Sequence, residues 1–214
     1  MDMAESVTGV NAATFKTALR GVAGACSVIT VGTGEELSGL VLTTAVSLSV
    51  DPPLILACIN RASSSFPLLR RHGCFGWNSL GAGHQPVAER FSGFHGEKGA
   101  ERYAGADWDT AITGARLLRG APVACDCTVE EIIERATHAI VIGHVRALRS
   151  TPGAGALIYR DGRYLALPCG TMQFIADDDP DIGPYQYCPL IAPVDQLPDM
   201  ATARIVARDA IKTV

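Results

Sequence analysis

Four short hydroxyl side chains, Thr43, Thr44, Ser47 and Ser49, fall within the heptapeptide TTAVSLS. Such side chains bring hydroxyls and uncovered backbone N–H groups close to a ligand, so they can hold an anion or the polar edge of a ring without a formal charge. Asp51-Pro52-Pro53 follows and sets the backbone before the apolar run LILACI. Beyond that run lies a second polar cluster, Asn60-Arg61-Ala62-Ser63-Ser64-Ser65, at the opening of a helix. Orphan N–H groups and the positive end of the helix dipole suit an anion there. An ordinary loop with an ordinary N-cap uses the same residues, so the spacing leaves both readings open.

The other chemistry-bearing residues are less directed. His138 starts the apolar segment HAIVIG and by itself reads as a half-buried histidine bonded to backbone; His144, six residues on, shares its strand face. His72, His84 and His95 fall in polar segments and read as solvated. Glu130-Glu131 reads as a solvent-facing connection between strands, not an acid/base pair, and Trp77 and Trp108 read as core residues. There is no GxGxxG after a strand, no P-loop and no GxSxG. The residues therefore nominate no catalytic acid, base or nucleophile, and no metal centre.

Many short strands must position these residues. AATFKTALRG predicts a short helix stopped by Gly21, with Phe15, Ala18 and Leu19 at helical spacing. CSVITVGTG, LSGLVLTTAVSLSV and LILACI read as strands, the last two joined by Asp51-Pro52-Pro53. SSFPLLRRHG and GHQPVAERFSG read as helices flanking the strand CFGWNSL, with Ser64 or Ser65 near the N-cap of the first. A Gly-rich loop spans Phe94 to Thr113. PVACDCTVEEIIERATHAIVIGHVRALRS predicts two strands, and GALIYRDGRYLAL a hairpin turning at Asp161-Gly162. Short strands without βαβ alternation imply a mainly β fold, an antiparallel barrel with peripheral helices.

The chain has 214 residues, with 48% hydrophobic and 19% charged, enough for one substantial folded core. A net charge of -4 argues against nucleic acid as a partner, and no apolar run reaches the length of a membrane span. The N-terminus MDMAESVTG carries acids and no Lys or Arg, unlike a signal peptide, so the expected location is cytoplasmic. Seven cysteines without a CxxC read as reduced, mostly buried thiols; Cys125 and Cys127 share one strand face. Three regions are expected: a tail over 1–11, the barrel domain over 12–167, and a C-terminal extension over 168–214. That extension contains the acidic, turn-rich DDDPDIGPY and ends in the amphipathic helix DMATARIVARDAIKTV, packed on the barrel or on a partner subunit.

In order along the chain, GVAGACSVITV, GLVLTTAVSLSVDPPLILACINRASSS, FGWNSLGAGHQPVAERFSG, CDCTVEEIIERATHAIVIGHVRAL and GALIYRDGRYLAL resemble the flavin reductase-like family, the reductase components of two-component flavin-dependent monooxygenases. The resemblance runs from about Phe15 to Leu167. It implies a split β-barrel (an FMN-binding split barrel) that forms a homodimer, binds FMN or FAD, oxidises NADH or NADPH and supplies reduced flavin to a partner monooxygenase.

Carried over by position, Thr43, Thr44 and Ala45, with Ser47 and Ser49, fall where the family contacts the flavin ring and its flanking groups. Asn60, Arg61, Ser63, Ser64 and Ser65 fall where it holds the ribityl-phosphate, and Arg90 and Phe91 in a segment beside the flavin. His138 and Tyr159 fall on the nicotinamide side. The family often has Asn-Ser where this chain has Thr43-Thr44, keeping hydroxyls but losing an amide donor. Two other functions fit the same barrel: a flavin-dependent reductase of another acceptor, such as a cobalt corrinoid or a ferric complex, and a non-catalytic flavin- or haem-binding module with His138 or His144 as haem ligand.

Overall fold

In the computed structural model, which describes residues 9–167, 175–179 and 183–187, the run from Leu37 to Val50 is not one strand: it breaks at Thr43-Thr44. The helices are α1 (Ala12–Leu19), α2 (Ser65–His72) and α3 (Gln85–Ser92). The strands of the first half are β1 (Gly24–Ala25), β2 (Ser27–Val31), β3 (Ser38–Leu42), β4 (Ala45–Ser49), β5 (Leu54–Asn60) and β6 (Cys74–Ser79). Then come β7 (Trp108–Thr110), β8 (Arg116–Leu118), β9 (Val123–Arg135), β10 (His138–Ser150), β11 (Ala156–Arg160) and β12 (Arg163–Leu167). The chain divides into units of residues 1–167 and 168–214; in the second, β13 (Ile175–Asp179) and β14 (Gly183–Tyr187) form a hairpin within the segment read as turn-rich. The helix expected over 199–214 lies outside the described residues, as do the first eight residues of the expected tail.

Seven strands form one antiparallel sheet in the order β3-β2-β6-β9-β10-β5-β4. Laid flat, its two edges would stand roughly 29 Å apart at the usual strand spacing of about 4.8 Å. Yet β3 and β4, the two edges, are joined only by Thr43-Thr44, and three residue steps reach at most about 11 Å. The sheet must therefore curl until its edges meet. A three-stranded sheet, β1-β11-β12, carries the hairpin, and β7 pairs with β8.

Curling separates two apolar cores. Ile29, Val31, Ile55, Ala57, Phe75, Cys125, Cys127 and Val141 fill one, with α2 contributing Phe66 and Leu69. Cys26, Val28, Leu80, Phe91, Tyr103, Leu117 and Leu157 fill the other, together with Val87 and Ala88 of α3. β2 lies between them, which is why all five of its residues are buried. The shared face of Cys125 and Cys127 is turned into the first core.

The loop from Phe94 to Thr113 is more ordered than its glycines suggest. Phe91, Tyr103 and Trp108 pack edge to face or tilted at centroid distances of 4.9 to 5.5 Å, the Tyr103 hydroxyl donates to the Ser38 carbonyl at 2.6 Å, and Trp108 Nε1 donates to the Tyr103 carbonyl at 2.9 Å. Its far end is held by the buried carboxylate of Asp126, which accepts from the Thr113 backbone N–H at 2.7 Å and from the Thr113 hydroxyl. The connection expected at Glu130-Glu131 instead lies inside β9; the strands run on to a turn at Ala136-Thr137, and Glu130 is the bulge residue between paired positions.

Close backbone approach makes Gly39 the tightest test of this packing. A Cβ there would sit 2.5 Å from Phe91 Cε1 and 2.7 Å from the Ile29 carbonyl oxygen, so Gly39→Ala is expected to lower stability by about 1–3 kcal/mol. Urea denaturation checks this; an unchanged midpoint would show that β3 and α3 are not packed as described.

Candidate functional site

The corner that closes the sheet is also the wall of a cavity. About 530 Å³ of space is lined by Thr43 and Thr44, by Lys16, Leu19 and Arg20 of the first helix and its cap, by Val22, Ala23 and Gly24, and by Tyr159, Asp161 and Gly162 of the hairpin. α1 starts at Asn11, whose side chain accepts from the N–H groups of Ala13 and Thr14, and none of its residues is buried. At Gly24 the backbone approaches the corner so closely that a Cβ would stand 2.6 Å from Thr43 Cβ. The Thr44 hydroxyl donates to the Cys58 carbonyl at 3.0 Å, tying the corner to β5.

Thr43 and Tyr159 also line a smaller cavity of about 240 Å³, with Cys26, Val41, Leu42, Ser92, Phe94 and Tyr164. Tyr159 and Tyr164 meet edge to face at 5.2 Å. Burial first, then Cys26, Tyr159 and Glu89 nearby, push the Tyr164 phenol up to about 12, and burial pushes the Cys26 thiol up to about 11. Both groups stay protonated near neutral pH, so Tyr164 is a hydroxyl donor and Cys26 is no nucleophile.

The structure thus brings Thr43, Thr44 and Tyr159 together. The other nominated residues go elsewhere. Ala45 is a core residue, Ser47 is exposed on β4, and the Ser49 hydroxyl donates to the Asp51 carbonyl at 3.2 Å. Asn60 ends β5 directly across the ladder from His138, at the end of the sheet where β5 passes the corner. Its side chain accepts from the Ala62 N–H at 2.9 Å, and the Ser63 hydroxyl accepts from the Ser65 N–H at 3.2 Å. Ser64 is the N-cap position of α2 and makes no side-chain cap bond. Ser65 is buried, its hydroxyl bonded to that of Ser38 at 2.9 Å.

Arg61 is committed to the fold. Its guanidinium pairs with Glu134 at 2.6 Å and donates to the Ala136 carbonyl at 3.0 Å, so it braces the β9–β10 turn. Phe91 is a core residue and offers no surface to a ligand. Arg90 faces Glu97 at 3.8 Å, and exposed His138 bonds to the Thr137 hydroxyl at 2.9 Å through Nδ1. Reading the sequence missed Lys16, Arg20, Tyr164 and Asp161 as cavity walls. The available signal was the cluster of cations around the Asp161-Gly162 turn.

Residues 19–168 match the model of the flavin reductase like domain, and residues 150–214 match that of [NiFe]-hydrogenase assembly, chaperone, HybE. FMN reductase (NADH) RutF 2 of Methylorubrum extorquens (strain PA1) is 38% identical over 159 residues, covering 74% of this chain and 91% of that protein. Among solved structures, BorF, the flavin reductase component of a bacterial two-component tryptophan halogenase, superposes with a TM-score of 0.68 at 26% identity, over 75% of this chain and all of BorF. The nitrilotriacetate monooxygenase component B homolog from Mycobacterium thermoresistibile gives 0.64 at 28%, over 72% of this chain and 84% of that one.

Proposed function

The chain belongs to the flavin reductase like domain family, and from that premise we propose that it is an NADH-dependent flavin reductase that holds its flavin, FMN or FAD, at the Thr43-Thr44 corner. The observation that carries the assignment to this place is the cavity itself. Its volume of about 530 Å³ suits a small organic ligand, and its lining mixes the Thr43 and Thr44 hydroxyls, close backbone, one aromatic ring and apolar Leu19 and Val22, with Lys16, Arg20 and Asp161 at one side. That donor set fits a flat heteroaromatic ring with a polar edge.

A bound flavin would supply acceptance of a hydride from the reduced nicotinamide. The chain's own residues do the positioning. Thr43, which lines the cavity, would hold the ring's polar edge together with the N–H groups of the corner. Thr44 holds the corner in place through β5. Asn60 at the end of β5, with Ser63 and Ser64 just before α2, would hold the phosphate through side-chain polar groups and backbone N–H groups, without help from Arg61. Tyr159 closes the nicotinamide side, with His138 at the same end of the sheet. Ala45, Ser47, Ser49, Ser65, Arg90 and Phe91 act, in this reading, as the framework of the pocket.

We further propose a homodimer and a cytoplasmic location. Val46 and Leu48 of edge strand β4 and Val50 just beyond its end are 53%, 47% and 89% exposed, an apolar patch that a second copy of the barrel would cover. All five described cysteines are free, as a reducing compartment keeps them, and among the described residues no helix is long and apolar enough to cross a membrane. Residues 168–214 form a module of their own. The reduced flavin passes to a flavin-dependent monooxygenase, the role that the BorF and nitrilotriacetate component names suggest. A second reading of the partner rests on the match of residues 150–214: the C-terminal module docks on a component of [NiFe]-hydrogenase assembly.

Purified protein given FMN or FAD should oxidise NADH, seen as loss of its absorbance; no oxidation with either flavin would sink the reductase reading. Thr44→Val should weaken flavin binding several-fold while leaving the circular dichroism spectrum intact, and unchanged affinity would remove the corner from the pocket. Light scattering should report twice the 22.5 kDa chain mass, and a monomer would refute the dimer. Co-expression with a [NiFe]-hydrogenase large-subunit precursor distinguishes the two partner readings: a stable complex supports the second, and its absence beside a complex with an oxygenase supports the first.

A further inference from the structure

The tip of the β11–β12 hairpin carries two arginines, Arg160 and Arg163, that pair with no carboxylate among the described residues. Arg160 and Arg163 are directly opposed across the ladder, either side of Asp161-Gly162, whose φ angles of 49° and 78° make the tight turn. Like charges at opposed positions weaken a hairpin. Among the described residues neither arginine has an ion-pair partner. The one carboxylate between them, Asp161, is taken by Arg20, whose Nε donates to it at 3.0 Å. Arg20, Arg160 and Arg163 together line a cavity of about 500 Å³, with Thr17, Gly21, Asp161 and Leu165. That cavity shares Arg20 and Asp161 with the one walled by Thr43, Thr44 and Tyr159, and Lys16 adds a further cation at the junction.

We propose that Arg160 and Arg163, with Arg20, seat the diphosphate of the nicotinamide nucleotide that delivers the hydride. The inference rests on the reductase reading and extends it to a specificity-determining anion subsite. Guanidinium groups suit a diphosphate because their planar forks pair with phosphate oxygens in two-point contacts. An opposed pair of such groups, unfavourable when empty, is relieved when a dianion lies between them. The location also fits. The α2 end, where the flavin phosphate is placed, has Arg61 locked to Glu134, whereas at the hairpin end Arg160 and Arg163 have no ion-pair partner among the described residues and line a cavity that shares Arg20 and Asp161 with the ring cavity. A nicotinamide stacked at Tyr159 would direct its tail towards the hairpin.

The test compares the full chain with R160Q/R163Q and R160K/R163K, using NADH and reduced nicotinamide mononucleotide, which has one phosphate and no diphosphate. The expected result for R160Q/R163Q is a rise of about tenfold in KM and Kd for NADH, with kcat within twofold and little change for the mononucleotide. R160K/R163K should recover much of the loss, and the salt dependence of kcat/KM for NADH should flatten in the Gln variant. Removing the opposed charges should leave the thermal midpoint unchanged or higher. Unchanged NADH affinity overturns the proposal, as does an equal loss for both donors. A weakened affinity for FMN that riboflavin does not share assigns the subsite to the flavin phosphate instead. Calorimetric binding of NADH reports on the subsite even without turnover, so failure of the reductase reading and failure of the subsite give different results.

Discussion

Two threonines bridge the edges of a seven-stranded sheet, and the rest of the structure follows from that short reach. With β3 and β4 at opposite ends of the strand order and only Thr43-Thr44 between them, the sheet has to roll up. Rolling brings backbones close at a few places and excludes side chains there. Gly39 faces Phe91 and the Ile29 carbonyl, Gly143 faces the Phe75 ring, and Gly24 faces Thr43. Each is a site where the curled sheet leaves no room for a Cβ.

Closure also determines how polar groups are used. The buried ones are spent on holding irregular segments to the sheet. Asn78 donates to the Val28 carbonyl at 3.3 Å and accepts from the Leu118 N–H at 2.7 Å; Asp126 holds Thr113; the Thr30 hydroxyl donates to the Arg116 carbonyl at 2.6 Å. Each satisfies main-chain groups that would otherwise be stranded between two apolar cores. The cavity lined by Thr43 and Thr44, by contrast, lies at the outer surface of the corner, where both threonines remain exposed.

Charge follows the same division. Arg61 and Arg70 are both engaged by Glu134, and this network fastens α2 and the loop before it to the β9–β10 turn. Arg20 likewise fastens the end of α1 to the hairpin through Asp161. Arg160 and Arg163, which no carboxylate pairs with among the described residues, line the cavity beside that joint. Arg20 does both: Asp161 braces it, and it still lines the cavity that Arg160 and Arg163 line.

Local turn and face chemistry was legible in the sequence at several places. Asp161-Gly162 specified its turn because both residues tolerate positive φ; Gly73 and Gly93 end α2 and α3 in the left-handed conformation; and the two-residue period placed Cys125 and Cys127 on one face. The helices and most strands, and the nomination of Thr43, Thr44 and Tyr159, came from the same near-neighbour rules and from family resemblance. Tertiary structure alone decided that LSGLVLTTAVSLSV is two strands, since nothing in its apolar run marks the break; that Glu130-Glu131 lies within β9; that Arg61, Ser65 and Phe91 serve the fold; and that Lys16, Arg20, Tyr159 and Thr43 share a cavity. Periodicity and turn propensity act over a few residues, whereas strand order, sheet closure and salt-bridge partners join positions more than a hundred residues apart, as between Arg20 and Asp161. Those pairings are settled by the curvature that two threonines impose.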